Sequence, residues 1–204
     1  IDNLEREGFR RFGSDIVLSG DVMLDAVLYY RSKIATQPVL KSHSITAPFL
    51  LVTLHRAENT NDPERLRQIC HALNTIQKKV NIVLPLHPRT KAYLASQQIE
   101  LAVQIIEPVG YFDMLALLQS CSMVLTDSGG LQKEAYFFEK FCITLRDQTE
   151  WVELVKTGAN QLAGADAEKI VRLFEQHVNK SVPFKAGLYG DGQAAARIVR
   201  HLMG

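Results

Sequence analysis

Leu125-Thr126-Asp127-Ser128-Gly129-Gly130-Leu131-Gln132-Lys133-Glu134-Ala135 begins as an aliphatic run and passes directly into a segment of helical period. Residues 123–126 read as a short buried strand, and the residues after the two glycines read as a helix reaching about Phe138. A strand that turns through Ser-Gly-Gly into a helix leaves the first helical N–H groups without intrahelical acceptors. Those donors, with the positive end of the helix dipole, suit a phosphate. The bare backbone of Gly129 and Gly130 would let it approach closely. The plainer alternative is a tight βα turn in which Ser128 caps the helix and the glycines supply backbone freedom. Neither a Walker A sequence nor GxGxxG occurs, so ATPase and dinucleotide readings lose their best support.

The same alternation extends outward in both directions. Before the turn, strands are expected at 49–54, 81–86 and 103–106, and helices from Pro63 to about Lys78, at 90–97 and at 111–120. Asn61 or Asp62 can cap the first of these helices. After the turn, strands are expected at 142–145 and 161–163, and helices at 150–156, at 166–178 and up to Met203. This pattern defines an α/β class with a Rossmann-like parallel sheet and flanking helices. Upstream, 15–19 reads as a first strand and 22–31 as a helix. The chain opens Ile1-Asp2-Asn3 as though entered in mid-fold, which suggests a piece of a longer protein. The expected division is a lead-in segment over 1–40 and a nucleotide-binding lobe over 41–204.

Bulk properties narrow the ligand. The 204 residues are 47% hydrophobic and 22% charged, enough for one core, and 23 basic residues nearly balance 22 acidic ones. No Lys/Arg run marks a nucleic-acid or anionic-membrane surface, so a small molecule is the expected partner. No apolar stretch approaches the roughly 20 residues of a bilayer span, and no signal-peptide pattern opens the chain, so a cytoplasmic protein is expected. Cys70, Cys121 and Cys142 form no CxxC pair and read as reduced core residues, and no metal or cofactor is expected.

Ligands of open parallel sheets bind beyond the carboxyl ends of the strands. The unusual residues gather there, in 55–59, 87–89, 107–111, 127–130 and 146–150. Glu134 lies four residues beyond Gly130, on the same helix face, where a carboxylate could accept both hydroxyls of a ribose. Its alternative is a solvated helix glutamate. His55 and Arg56 end the strand at 49–54, where an imidazole could exchange a proton and a guanidinium could meet a charge. A hydrogen-bonded structural imidazole is the competing reading.

Four stretches occur in a fixed order: Thr53-Leu54-His55-Arg56-Ala57-Glu58-Asn59, the segment 125–135, Leu145-Arg146-Asp147 with Thr149-Glu150, and Tyr189-Gly190-Asp191-Gly192. Together they closely resemble the non-hydrolysing UDP-N-acetylglucosamine 2-epimerases, over essentially the whole chain. Gly20-Asp21 with Asp25-Ala26 resembles that family's segment before its second lobe. The resemblance implies the C-terminal lobe of a two-lobed GT-B fold, with the first lobe absent from this chain. It further implies an isomerase that eliminates UDP across C1 and C2 of the sugar and re-adds it with inverted C2. His55 would be catalytic or substrate-contacting, Ser128, Gly129 and Gly130 the diphosphate cradle, and Glu134 the ribose partner. Val109, Met114 and Arg146 complete the expected substrate-binding set.

The acidic residues that the family uses at C2 belong to the first lobe, so this chain alone is expected to be inactive. A homodimer is expected of the complete protein, serving cell-surface polysaccharide synthesis. Three departures stand out. Met114 replaces the usual Phe of a Tyr-x-x-Phe motif, and its thioether can still pack on a base. Trp151 replaces an arginine in Thr149-Glu150-Trp151-Val152-Glu153, and Pro85-Leu86-His87-Pro88-Arg89-Thr90 differs from the effector-activated members. The Trp151 variant resembles the branch acting on UDP-2,3-diacetamido-glucuronic acid. A GT-B glycosyltransferase lobe is the competing class, and a lobe that binds UDP without catalysis is a third.

Overall fold

The computed structural model describes residues 1–181 and 184–204. These form two compact units, one of Ile1–Tyr30 with Ala186–Gly204 and one of Arg31–Lys185. The division expected at residue 40 falls inside the second unit, whose helix Thr36–Ser42 packs against the helix Tyr111–Ser120.

The smaller unit holds α1 (Asp2–Arg6), a 3-10 turn (Phe9–Phe12), α2 (Val22–Arg31, whose last residue starts the larger unit) and the last helix, Ala194–Met203. Its order comes from backbone caps. The Asp25 carboxylate accepts the amides of Ala194 and Ala195 at 3.1 and 2.8 Å, and Arg197 grips Asp191 through two hydrogen bonds of 2.8 and 2.6 Å. The Asp21 amide donates to Tyr189 O at 3.0 Å. Gly190, at φ 102°, lies so close to Gly20 that an added Cβ would stand 3.2 Å from the Gly20 Cα. The expected strand at 15–19 is not formed. These residues are mostly solvent-facing, and no sheet neighbour among the described residues pairs with them, so β-branched propensity alone does not make a ladder.

The larger unit runs α3 (Thr36–Ser42), β1 (Phe49–Thr53), α4 (Ala57–Thr60), α5 (Pro63–Gln77), β2 (Asn81–Pro85), α6 (Pro88–Ser96), β3 (Gln104–Ile106), α7 (Tyr111–Ser120), β4 (Met123–Thr126), α8 (Gly129–Phe137), β5 (Cys142–Thr144), α9 (Val152–Thr157), β6 (Asn160–Leu162) and α10 (Ala167–His177); α11 is the Ala194–Met203 helix of the smaller unit. All five strand pairings are parallel, in the order β3-β2-β1-β4-β5-β6. Strand order reverses between β1 and β4, whose register sets Thr53 opposite Thr126. Such a reversal opens a crevice beyond the strand ends.

β1 is buried along its whole length, which is why Phe49-Leu50-Leu51-Val52 reads as a continuous apolar run rather than an alternation. On one face Leu66, Ile69, Leu73 and Ile76 of α5 join Ile170, Leu173 and Phe174 of α10 over Leu50, Val52, Ile82, Leu84, Leu125 and Ile143. Asp62 caps α5 by accepting the amides of Glu64 and Arg65, with Pro63 at the first helical position. α6 starts two residues earlier than its pattern suggests, because Pro88 fits the first turn and His87 supplies the cap. The three cysteines are buried, unbonded thiols, and burial pushes each up to about 12. Among the described residues no helix is long and apolar enough to cross a membrane.

Candidate functional site

The site grows from the two strands that flank the reversal. Thr53 and Thr126, at the ends of β1 and β4, share a hydrogen bond of 2.6 Å between their hydroxyls. Thr126 Oγ1 also accepts the Ser128 amide at 2.9 Å, which turns the chain into α8. Ser128 is the helix cap, its hydroxyl accepting the Leu131 amide at 3.4 Å. Gly129 and Gly130 are the first two helical residues, and neither has positive φ. Backbone freedom is therefore not what these glycines provide.

Gly129 packs beside the Glu150–Trp151 segment. A Cβ there would collide with the Glu150 carboxylate and lie 3.6 Å from Trp151 Nε1. Trp151 Nε1–H donates to Gly129 O at 2.8 Å. Gln132, fully buried one turn on, donates to Ser128 O at 3.3 Å and accepts from Thr149 Oγ1 at 2.7 Å and Asn160 Nδ2 at 3.0 Å. Thr144 in turn donates to Asn160 Oδ1 at 2.8 Å. The start of α8 is thus tied to β5, β6 and the loop before α9, so its N–H groups are aimed by a fixed scaffold.

A cavity of about 330 Å³ opens where the strand order reverses, and Ser128, Gly130, Glu134, Val109, Met114 and His55 all line it. Six of the eight residues expected to form the site therefore meet in one place. Gly129 and Arg146 do not line it. Arg146 pairs instead with Glu150 through Nη1 at 2.9 Å and with Glu58 through Nε at 3.3 Å, the latter an ion pair without hydrogen-bond geometry. Trp151 replaces a cation in the motif yet gathers one, since the Lys133 ammonium lies 4.4 Å from its ring centroid.

Glu134 is buried rather than solvated, which removes its plainer alternative. Burial holds its carboxyl above the ordinary range, against the pull of the Tyr111 hydroxyl and the Lys133 ammonium. A buried carboxylate lining a cavity is an acceptor that suits paired hydroxyls. A second, larger cavity of about 710 Å³ adjoins the same loop, with His55, His87, Arg89 and Tyr93 in its wall. His87 Nδ1 accepts the Arg89 amide at 3.2 Å, so in the neutral ring the proton sits on Nε2.

Sequence reasoning passed over Asp127, which has no exposed surface. Its Oδ2 accepts the amides of His55 and Arg56 at 3.0 and 2.9 Å and Asn59 Nδ2 at 3.2 Å. Its Oδ1 lies 3.2 Å from His55 Nδ1. Asn59, also fully buried, donates to Leu145 O at 2.8 Å and accepts from Arg65 Nε at 3.1 Å. The signal was an acidic residue at the end of a fully apolar strand, a place where a carboxylate persists only with several donors.

Comparison with known proteins bears on this geometry. The family model described as UDP-N-acetylglucosamine 2-epimerase matches residues 1–203. A UDP-2,3-diacetamido-2,3-dideoxy-D-glucuronate 2-epimerase of Pseudomonas aeruginosa is 52% identical over 99% of this chain and 56% of its own length. A UDP-N-acetylglucosamine 2-epimerase of Methanocaldococcus jannaschii is 38% identical over 98% of this chain and 57% of its own. A crystal structure of the Methanocaldococcus jannaschii UDP-GlcNAc 2-epimerase in complex with UDP-GlcNAc and UDP superposes with a TM-score of 0.84 at 34% identity, covering 98% of this chain and 59% of that one. The chain spans a little over half the length of these relatives.

Proposed function

The chain belongs to the UDP-N-acetylglucosamine 2-epimerase family, and from that membership we propose that it is the nucleotide-gripping part of a UDP-sugar 2-epimerase, an isomerase. The observation that carries the reading is the cavity at the strand reversal, lined together by His55, Ser128, Gly130, Glu134, Val109 and Met114. In this reading the diphosphate meets the α8 N-terminus at Ser128 and Gly130, its charge stabilised by the open N–H groups and the helix dipole. Glu134, one turn along the same face, accepts the ribose hydroxyls, and Val109 and Met114 pack against the base. Gly129 serves through its packing against the Glu150–Trp151 segment.

Stabilising a departing diphosphate is one half of an elimination and re-addition at C1 and C2. In this reading His55 helps to transfer a proton or to stabilise the leaving diphosphate. Removal of the C2 proton is assigned to groups outside this chain, so turnover requires the complete protein. The same reading includes the missing first lobe, a homodimer and a cytoplasmic role in cell-surface polysaccharide synthesis.

Between sugars, the 52% identity to an epimerase of a diacetamido-glucuronate, together with the Trp151 motif that resembles that branch, favours the acidic sugar over UDP-N-acetylglucosamine. Calorimetric titration of the chain with UDP tests the nucleotide assignment, with CDP and ADP as controls. The complete protein is then assayed for exchange of solvent deuterium into C2 of both UDP-sugars. Absence of UDP binding, or of exchange with either sugar, sinks the proposal.

A further inference from the structure

Resting on the reading of His55 as a ligand-facing group, we propose that Asp127 is a positioning residue that selects the His55 tautomer, holding the proton on Nδ1 so that Nε2 faces the cavity as an acceptor. The two oxygens of Asp127 have different neighbours. Oδ2 receives three N–H donors, from the backbone of His55 and Arg56 and from the Asn59 amide. Oδ1 faces His55 Nδ1 at 3.2 Å and also lies 3.2 Å from the His55 amide, whose shorter bond of 3.0 Å goes to Oδ2. A carboxylate only accepts, so its proximity favours the neutral tautomer that carries the hydrogen on Nδ1. The His55 side chain is 56% exposed while that of Asp127 is fully buried, so Nδ1 lies beside the buried carboxylate and the rest of the ring is open toward the cavity.

His87 lines the same cavity with the opposite arrangement. Its Nδ1 accepts the Arg89 amide, which leaves Nε2–H as a donor. The wall therefore offers one imidazole that accepts and one that donates. A nucleotide-sugar carries both kinds of partner, hydroxyl or C–H protons to be taken and phosphate oxygens to be held.

The asymmetry around Asp127 makes the proposal testable by a change of one atom. In Asp127→Asn the three donors at the Oδ2 position select the amide oxygen, which turns the NH2 toward His55 Nδ1. That nitrogen must then accept, and the proton moves to Nε2. In Ser-His-Asp triads the same exchange leaves geometry intact and lowers turnover by roughly 10⁴-fold through the wrong tautomer.

The experiment is ring 15N NMR of the chain, at a pH where imidazoles are neutral, with the His55 signals assigned by their loss in His55→Gln. The expected result is a protonated Nδ1 and a bare Nε2 for His55, and the reverse for His87. Asp127→Asn should convert His55 to the His87 pattern while His87 keeps its own. In the complete enzyme that substitution should cost at least about 100-fold in turnover with UDP affinity held. A protonated Nε2 on His55 in the parent chain overturns the proposal without any variant having to fold. An unchanged tautomer in folded Asp127→Asn overturns it as well. The tautomer is read without ligand, so a failed UDP titration would remove the nucleotide reading and leave this result standing.

Discussion

The indole Nε1–H of Trp151 donates to the carbonyl oxygen of Gly129 at 2.8 Å, joining the loop before α9 to the first residue of α8. That bond fixes the direction of the helix end that the nucleotide is proposed to meet. Trp151→Phe keeps an aromatic ring for Lys133 and removes only the donor. Chemical unfolding should show a loss of about 0.5–1.5 kcal/mol, the net worth of one hydrogen bond, and calorimetry should show weaker UDP binding. An unchanged UDP affinity would free the helix start from control by Trp151.

Gly130 lines the cavity at the second residue of α8, in ordinary helical backbone that other residues can adopt. Gly130→Asp should therefore fold and lose UDP binding, because its carboxylate takes the phosphate position at the positive helix end. Calorimetry with circular dichroism as the fold control separates these effects. Equal affinity in a folded variant would remove the cradle from this turn.

Glu134 should discriminate between parts of the ligand. Glu134→Gln is expected to weaken uridine nucleotides by about 1–3 kcal/mol, as for hydrogen bonds to a charged acceptor, and to leave pyrophosphate nearly unaffected. A similar loss for both ligands would place Glu134 away from the ribose.

The same residue carries a pH signature. Burial raises the Glu134 pKa above the 4.5 of a free glutamate, so the native state holds this proton more tightly than the unfolded state. Its contribution to stability is present below 4.5 and is lost as pH rises through the elevated value. Glu134→Gln should gain stability relative to the parent across that window and show no advantage below it. UDP affinity of the parent should rise over the same window, since the ribose hydroxyls need the charged acceptor. Denaturation midpoints and UDP titrations at stepped pH supply both curves, and flat curves for parent and variant alike would contradict the burial argument.

In the complete protein His55→Ala should lower turnover by at least about 100-fold while UDP binding survives. The measurement is solvent deuterium exchange at C2, run in parallel on the isolated chain, which should show none. Exchange by the isolated chain would overturn the division of labour between the two parts. Undiminished exchange in the variant would make His55 a structural imidazole held by Asp127.

Much of the core unit was legible because its signals are local. Apolar runs of four to six residues between helical periods mark parallel strands buried on both faces, and Asp62-Pro63 and Asp166 announce helix starts through the caps they form. The failures are equally physical. Residues 15–19 have strand propensity without a ladder, and a strand exists only through a partner that propensity does not supply. The short α4 and α3 carry too few turns for a periodic pattern to show.

The amino-acid order by itself determined the α/β alternation, the helix start after Ser128 and the placement of His55 just past a strand and of Glu134 one turn into a helix, since each depends on neighbours within a turn or two. Tertiary structure decided what those residues touch. Gln132 and Asp127 look like ordinary polar residues in a row of letters, yet contacts from residues 17 to 28 positions away in one case and 68 to 72 in the other make them the braces of the site. Gly129 meets the Glu150 carboxylate and the Trp151 indole rather than adopting a special backbone, and Arg146 is neutralised by two carboxylates before a ligand arrives. Burial and hydrogen bonding across the β1–β4 junction are properties of the assembled sheet, and only the folded chain brings those groups within bonding distance.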